Sequence, residues 1–184
     1  MIPMNRTAEP LFLVSDKKKW TDDYIKTGNF NWHNRELLLK DLKAMTKDHC
    51  AFCDDVLSPI GSADPEIEHF KPKSKYKDLA FDWENLYPIC RHCNGTKNDI
   101  FDDLLLRPDE LGYQYNDWFR LDPNSFELKP IKAGNKHWNR AEITIRIYGF
   151  NKPDKIGRRS FVSAELAIAD NKYSSKDFQP FRFL

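Results

Sequence analysis

Cys50-Ala51-Phe52-Cys53 and Cys90-Arg91-His92-Cys93 hold every cysteine of the chain, and between them run Ile67-Glu68-His69-Phe70 and Trp83-Glu84-Asn85-Leu86. Each Cys-x-x-Cys pair sets two thiolates at the tip of a tight turn, where both reach one ion. Two such knuckles make a tetrahedral four-sulfur site, the donor set that suits Zn²⁺. Residues 54–89 separate the pairs. A plain zinc ribbon needs only roughly 15–20 residues at that point. The extra length, carrying Glu68, His69 and Asn85, points to chemistry as well as a staple.

Composition sets the outer bounds. The chain has 184 residues, 40% of them hydrophobic and 14% aromatic. That is enough for one domain with a packed core. Lys and Arg number 29 against 28 Asp and Glu, so any nucleic-acid surface must come from local clustering, not bulk charge. No run of apolar residues is long enough to span a bilayer. Residues 1–10 have no basic stretch followed by an apolar one, so no secretory leader is expected. Paired Cys-x-x-Cys spacing without an export signal favours a metal and a reducing, cytoplasmic setting over disulfides.

Outside the knuckles the pattern is mixed helix and strand. Pro3, Pro10 and Leu11-Phe12-Leu13-Val14 predict an extended arm over residues 1–16, followed by a short helix from Trp20 to Lys26 that Gly28 ends. Asn31 or Asn34 is placed to cap a helix running to about Lys47, with Leu38, Leu42 and Met45 on its apolar side. His49 reads as a structural or exposed residue, because four sulfurs already fill a tetrahedral site. Residues 54–65, with Pro59, Gly61 and Pro65, read as loop.

A strand is expected over Glu66–Lys71 and a second strand or short helix over Leu79–Leu86. From Asn94 a helix is expected to about Leu106, its N-terminal amides suited to an anion. Residues 118–121 and 125–129 suit a hairpin around Asp122-Pro123-Asn124. Helices are expected over Asn139–Tyr148 and Lys155–Ile168, and then an aromatic tail with Phe178, Phe181 and Phe183.

Hydrolysis of a phosphodiester needs a base for water, a cation for the developing charge and donors for the backbone. His69 has the right intrinsic pKa for the base. Asn85 can orient the imidazole or the attacking water without adding charge. Glu68 and the amide oxygen of Asn94 are hard donors that, with water, suit Mg²⁺. Lys71, Lys73, Lys75, Arg91 and Lys97 are the cations nearest this group, and backbone phosphate contact is the reading their position favours. His92 is expected to be exposed or near DNA.

The series Cys-x-x-Cys, Glu68-His69, Asn85, Cys-x-x-Cys-Asn94-x-x-Lys97 resembles the HNH endonucleases. The fuller strings Ile67–Tyr76, Trp83–Leu86 and Cys90–Lys97 are similar to the PtuB-type nucleases of the Septu anti-phage system and of retron-associated operons. Thr144-Ile145-x-x-Tyr148-Gly149-Phe150-Asn151, with Arg158 and Arg159, resembles the helical tail of the same group.

The resemblance implies an α+β fold. Its ββα-metal (HNH) core carries a four-cysteine zinc site and is flanked by N- and C-terminal helices. It divides the chain into an N-terminal arm and helices (1–49), a zinc-stapled nuclease core (50–106) and a C-terminal hairpin and helical extension (107–184), forming one compact unit. It implies His69 as general base and Asn85 as its positioning residue. It implies catalytic Mg²⁺ or Mn²⁺ on Asn94 and Glu68, and structural Zn²⁺ on Cys50, Cys53, Cys90 and Cys93. DNA would be the substrate, and an ABC- or SMC-like ATPase of PtuA type the partner in phage defence. Glu68 departs from the aspartate often found before the histidine. Two other readings compete: a restriction-type HNH nuclease acting alone, and a zinc-ribbon adaptor that catalyses nothing.

Overall fold

The computed structural model describes residues 1–57, 64–131, 134–168 and 179–184, the side chains of 134–138 excepted. The chain opens with two helices, α1 (Leu11–Thr27) and α2 (Arg35–Thr46). At the centre are two strands and a helix: β1 (Pro65–His69), β2 (Leu86–Cys90) and the short α3 (Arg91–Lys97). Then come α4 (Tyr115–Trp118), the strands β3 (Phe119–Leu121) and β4 (Leu128–Pro130), and two long helices, α5 (Gly134–Tyr148) and α6 (Pro153–Ile168). The fold is therefore mixed helix and small sheets, as the spacing predicts.

β1 and β2 pair antiparallel, with Glu68 opposite Tyr87 and His69 opposite Leu86. β2 runs into α3 without a break, so the second knuckle is the strand-to-helix corner itself. Cys90 caps α3 by accepting a hydrogen bond from the Cys93 amide. Asn98, at φ 47°, ends that helix after seven residues. The expected helix from Asn94 to Leu106 is thus replaced by an earlier and much shorter one. One of its leading amides is spent on cysteine sulfur, not on an anion.

The N-terminal expectation also changes. Residues 11–16 belong to α1, which Pro10 introduces in extended conformation and Gly28 ends at φ 72°. Proline is tolerated at a helix start because it donates no hydrogen bond there. The strand expected over Glu66–Lys71 starts one residue earlier and stops at His69. The second strand follows the expected place, after 3-10 turns at Lys77–Leu79 and Trp83–Asn85. Phe178 and residues 58–63 lie outside the described residues. Phe181 is buried, and the Arg182 backbone amide donates to Asp54 Oδ2 at 2.6 Å.

Two apolar clusters hold these parts. The smaller packs Leu13 of α1 and Leu38 and Leu42 of α2 onto Ile67, Phe81, Trp83 and Leu86. The larger joins Phe52 and Tyr87 to Leu106, Phe119, Tyr148 and Phe150. Phe52 and Tyr148 stack with centroids 4.1 Å apart. The strand pair is thus clamped on both sides, which makes its end a rigid support for side chains.

Candidate active site

His69 ends β1, and its ring is almost wholly buried. Nε2 lies 2.9 Å from the Ala80 carbonyl oxygen. A carbonyl only accepts, so Nε2 carries the proton and Nδ1 is left as the basic atom. Trp32 stacks on the imidazole at 5.1 Å and 19°, and Phe30 meets it edge-on at 5.4 Å. Burial in this aromatic setting holds the ring far below its ordinary value, at about 3, and the Lys73 charge acts the same way. The imidazole is neutral throughout the physiological range.

The ring's hydrogen-bond partner is thus Ala80, whereas Asn85 is the residue expected to orient either the imidazole or the attacking water. Asn85 is buried and works on the loop between the strands. Its Oδ1 accepts from the Lys71 amide at 2.8 Å, and its Nδ2 donates to the Lys71 and Leu79 carbonyls, each at 3.0 Å. Leu79 directly precedes Ala80. The Leu79 carbonyl that Asn85 holds is thus one residue before the carbonyl that holds the imidazole.

Glu68 is also buried, in an ion pair with Lys97. Burial pushes its carboxyl up to about 7 even though Lys97 pulls the other way. Lys97 is fully buried, and its Nζ also donates to the His69 carbonyl at 3.1 Å. The sequence places this lysine against phosphate. The structure corrects that, because a side chain with no exposed surface serves as an internal counter-ion. Alternation along β1 would separate Glu68 from His69, yet both line one cavity of about 330 Å³ with Glu66, Lys73, Asn94 and Asp99. The volume falls at the small end of ligand sites.

Of the remaining cations, Lys73 lies 4.8 Å over the Phe30 ring, and Lys71 lies over Tyr76 and Phe101. Lys75 donates to the Asp99 carbonyl at 3.1 Å. Arg91 is exposed but paired to Asp64 and Glu66. His92 is exposed beside Asp154, and His49 is buried between the Lys47 and Gln179 carbonyls.

The four cysteine sulfurs lie within 4.8 Å of one another, all buried. Cys53 and Cys90 sulfurs are 3.7 Å apart. A tetrahedral zinc tetrathiolate has sulfur–sulfur edges of about 3.8 Å, from bonds of about 2.3 Å. The donor set and its spacing fit such an ion. Backbone amides of Cys53 and Cys93 donate to Cys50 and Cys90 sulfur. Lys155, from α6, donates to Cys53, Cys90 and Cys93 sulfurs at 3.2–3.3 Å. Burial disfavours its charge, but the sulfurs outweigh that and push its pKa up.

Several participants were not evident from the sequence. Phe30 and Trp32 come from the short connection between α1 and α2, where two aromatics in a polar stretch were the available signal. Ala80 acts through its backbone and leaves no signal. Lys155 is one lysine among many, and only folding brings it to the sulfurs.

Residues 50–99 match the family model described as HNH endonuclease. Relatives are found beyond that domain. A Septu protein PtuB of Bacillus thuringiensis is 35% identical over 97 residues, which is 53% of this chain and 37% of that protein. A Septu protein PtuB of Bacillus mycoides is 23% identical across 91% of this chain and 69% of its own length. An Escherichia coli protein assigned to retron Ec83 as an HNH endonuclease is 26% identical across 73% of this chain and 55% of its own. The chain thus spans little over a third of the first of these relatives. The strand pair, the helix that follows it and the cavity residues gathered at its end all fall within residues 50–99, over which this chain carries an HNH endonuclease domain.

Proposed function

We propose that this protein hydrolyses phosphodiester bonds of DNA with a divalent cation, using His69 as general base, and that it does so in the cytoplasm within an anti-phage defence complex containing an ATPase. The observation that carries the reading is the imidazole. It is neutral, its Nε2 proton is held by the Ala80 carbonyl, Nδ1 is left without that proton, and the residue lines one cavity with Glu68 and Asn94.

Asn94 and Glu68 would hold Mg²⁺ or Mn²⁺. Lys97 takes one side of the Glu68 carboxylate, which has lone pairs to spare. When bound, the ion supplies charge to the scissile phosphate and the leaving oxygen. Nδ1 of His69 takes a proton from water as the water oxygen bonds to phosphorus and the bond to the leaving oxygen breaks. Ala80 keeps the ring oriented as it becomes positive. Lys73 and Arg91 line the cavity, and with Lys71 and Lys75 of the same basic stretch they would take the phosphates on either side. Zn²⁺ on the four cysteines is structural. The defence role and the ATPase rest on the resemblance of the motif strings Ile67–Tyr76, Trp83–Leu86 and Cys90–Lys97 to PtuB-type nucleases.

Plasmid cleavage by the zinc-loaded protein tests the reading, with Mg²⁺ or Mn²⁺, with and without an ATPase encoded beside it. The wild type should cut, and His69→Ala should lose about 10²–10⁴ of the rate while keeping its fold. Undiminished cutting by His69→Ala would remove the general base. Cleavage unaffected by the ATPase would favour the solitary enzyme.

A further inference from the structure

Asn94 is the residue through which the proposed cation site becomes specific, and its amide has one possible orientation. Its Nδ2 lies 2.6 Å from Glu66 Oε2. A carboxylate only accepts, so the group turned to Glu66 must be the NH₂. The other oxygen of Glu66 accepts from Arg91 Nε at 3.3 Å, and Arg91 is anchored by Asp64 Oδ2 at 2.9 Å. Both Glu66 oxygens are therefore committed, and the carboxylate sits at the first turn of α3 as a fixed post. The carbonyl oxygen of Asn94 is the atom left for the cavity that Glu68 and His69 also line.

We propose that Glu66 is a positioning residue for the divalent cation: by holding the NH₂ of Asn94 it presents the amide oxygen to the metal. The proposal rests on the cation reading above. An asparagine with a free amide could turn its NH₂ toward the ion, which repels it, or settle between two orientations and lose affinity. Glu66 removes that choice. It does so without entering the coordination sphere, which separates its role from that of Glu68. Outer partners of this kind are commonly worth about 10–100-fold in metal affinity.

The test is Mn²⁺ binding to zinc-loaded protein, read by calorimetry or by the Mn²⁺ EPR signal, beside the melting temperature and zinc content. Asn94→Ala should abolish tight binding. Glu66→Ala should weaken it by about 10-fold or more, and Glu66→Gln, whose amide oxygen still accepts from Nδ2, by less. Melting temperature and zinc content should hold, since the partly exposed Glu66–Arg91 pair contributes little to stability.

The decisive arm is the Asn94→Asp background. Both side-chain atoms there are oxygens and nothing needs orienting, so Glu66→Ala should cost no further affinity. A loss of the same size in that background would make Glu66 a direct ligand and overturn the proposal. So would unchanged affinity in Glu66→Ala while Asn94→Ala abolishes binding. Unchanged binding in Asn94→Ala would instead overturn the placement of the cation itself.

Discussion

The protonation state of His69 is set by what surrounds it, and that makes its proton the first thing to follow. Burial against Trp32 and Phe30 holds its pKa at about 3. A histidine NMR titration from pH 8 to 5 should therefore show this ring neutral with the proton on Nε2 throughout. A midpoint above pH 6 would contradict the buried setting. The same shift has a stability consequence. The folded value lies below the ordinary 6.5, so the unfolded chain binds the proton first, and this group's contribution is lost as pH falls from 6.5 toward 3. Glu68 runs the other way: raised from 4.5 to about 7, its contribution is fully present below 4.5 and lost as pH rises through 7. Between 4.5 and 6.5 the two oppose each other. Without added divalent cation, the melting-point gap between wild type and His69→Gln should shift in favour of wild type as pH rises across that window. A constant gap would mean that His69 titrates alike in both states. His69, Glu68 and Asn94 were legible as a group because residue type and motif spacing name them. Their partners Ala80, Glu66 and Trp32 were not, because a hydrogen bond to a carbonyl or a ring stacked across the chain leaves no spacing to read.

At the scale of elements, the loop between the strands and the α3–α5 contact carry the most specific demands. Asn85 makes three hydrogen bonds to that loop from a buried position. Asn85→Ala should cost on the order of 2–3 kcal/mol in chemical denaturation, because it strands buried backbone groups. Activity should fall further than that loss of folded protein explains, since the Ala80 carbonyl is no longer fixed. Equal activity per folded molecule would detach the loop from the imidazole. Gly149 ends α5 at φ 61°, and a Cβ there would sit 2.8 Å from Thr96 Cγ2 of α3. Gly149→Ala should thus destabilise by about 1–3 kcal/mol through strain and overpacking. The sequence located the hairpin, the end of α5 and most of α6. It placed the end of α1 at Gly28 but misread its start, because Pro3, Pro10 and the apolar Leu11–Val14 suggested an extended arm. It also overextended α3, because nothing before Asn98 signals that the chain must turn there to bury Lys97.

Across the whole molecule, the sulfur cluster joins parts that lie far apart in sequence. Cys50 and Cys53 come from the turn after α2, Cys90 and Cys93 from the β2–α3 corner, and Lys155 from α6. Metal binding at such a site is folding energy. Stripping the ion with a chelator should lower the melting temperature and expose the hairpin to protease. Lys155→Met should release zinc to a competing chelator about 10-fold or more faster, because a buried tetrathiolate loses its neighbouring cation. Release at the wild-type rate would leave Lys155 as packing only. The cysteine pairs gave this centre away in the sequence, whereas its lysine became visible only once α6 was folded back on the core. This staple is distinct from the second, working ion proposed at the end of β1. Anomalous diffraction from crystals of the His69→Ala protein soaked in Mn²⁺, recorded at the zinc and manganese edges, would separate the two. A zinc peak is predicted at the centre of the four sulfurs, with a distinct manganese peak touching the Asn94 amide oxygen and Glu68. Manganese at the cysteines, or none in the cavity beside Asn94, would contradict a two-metal enzyme of this design.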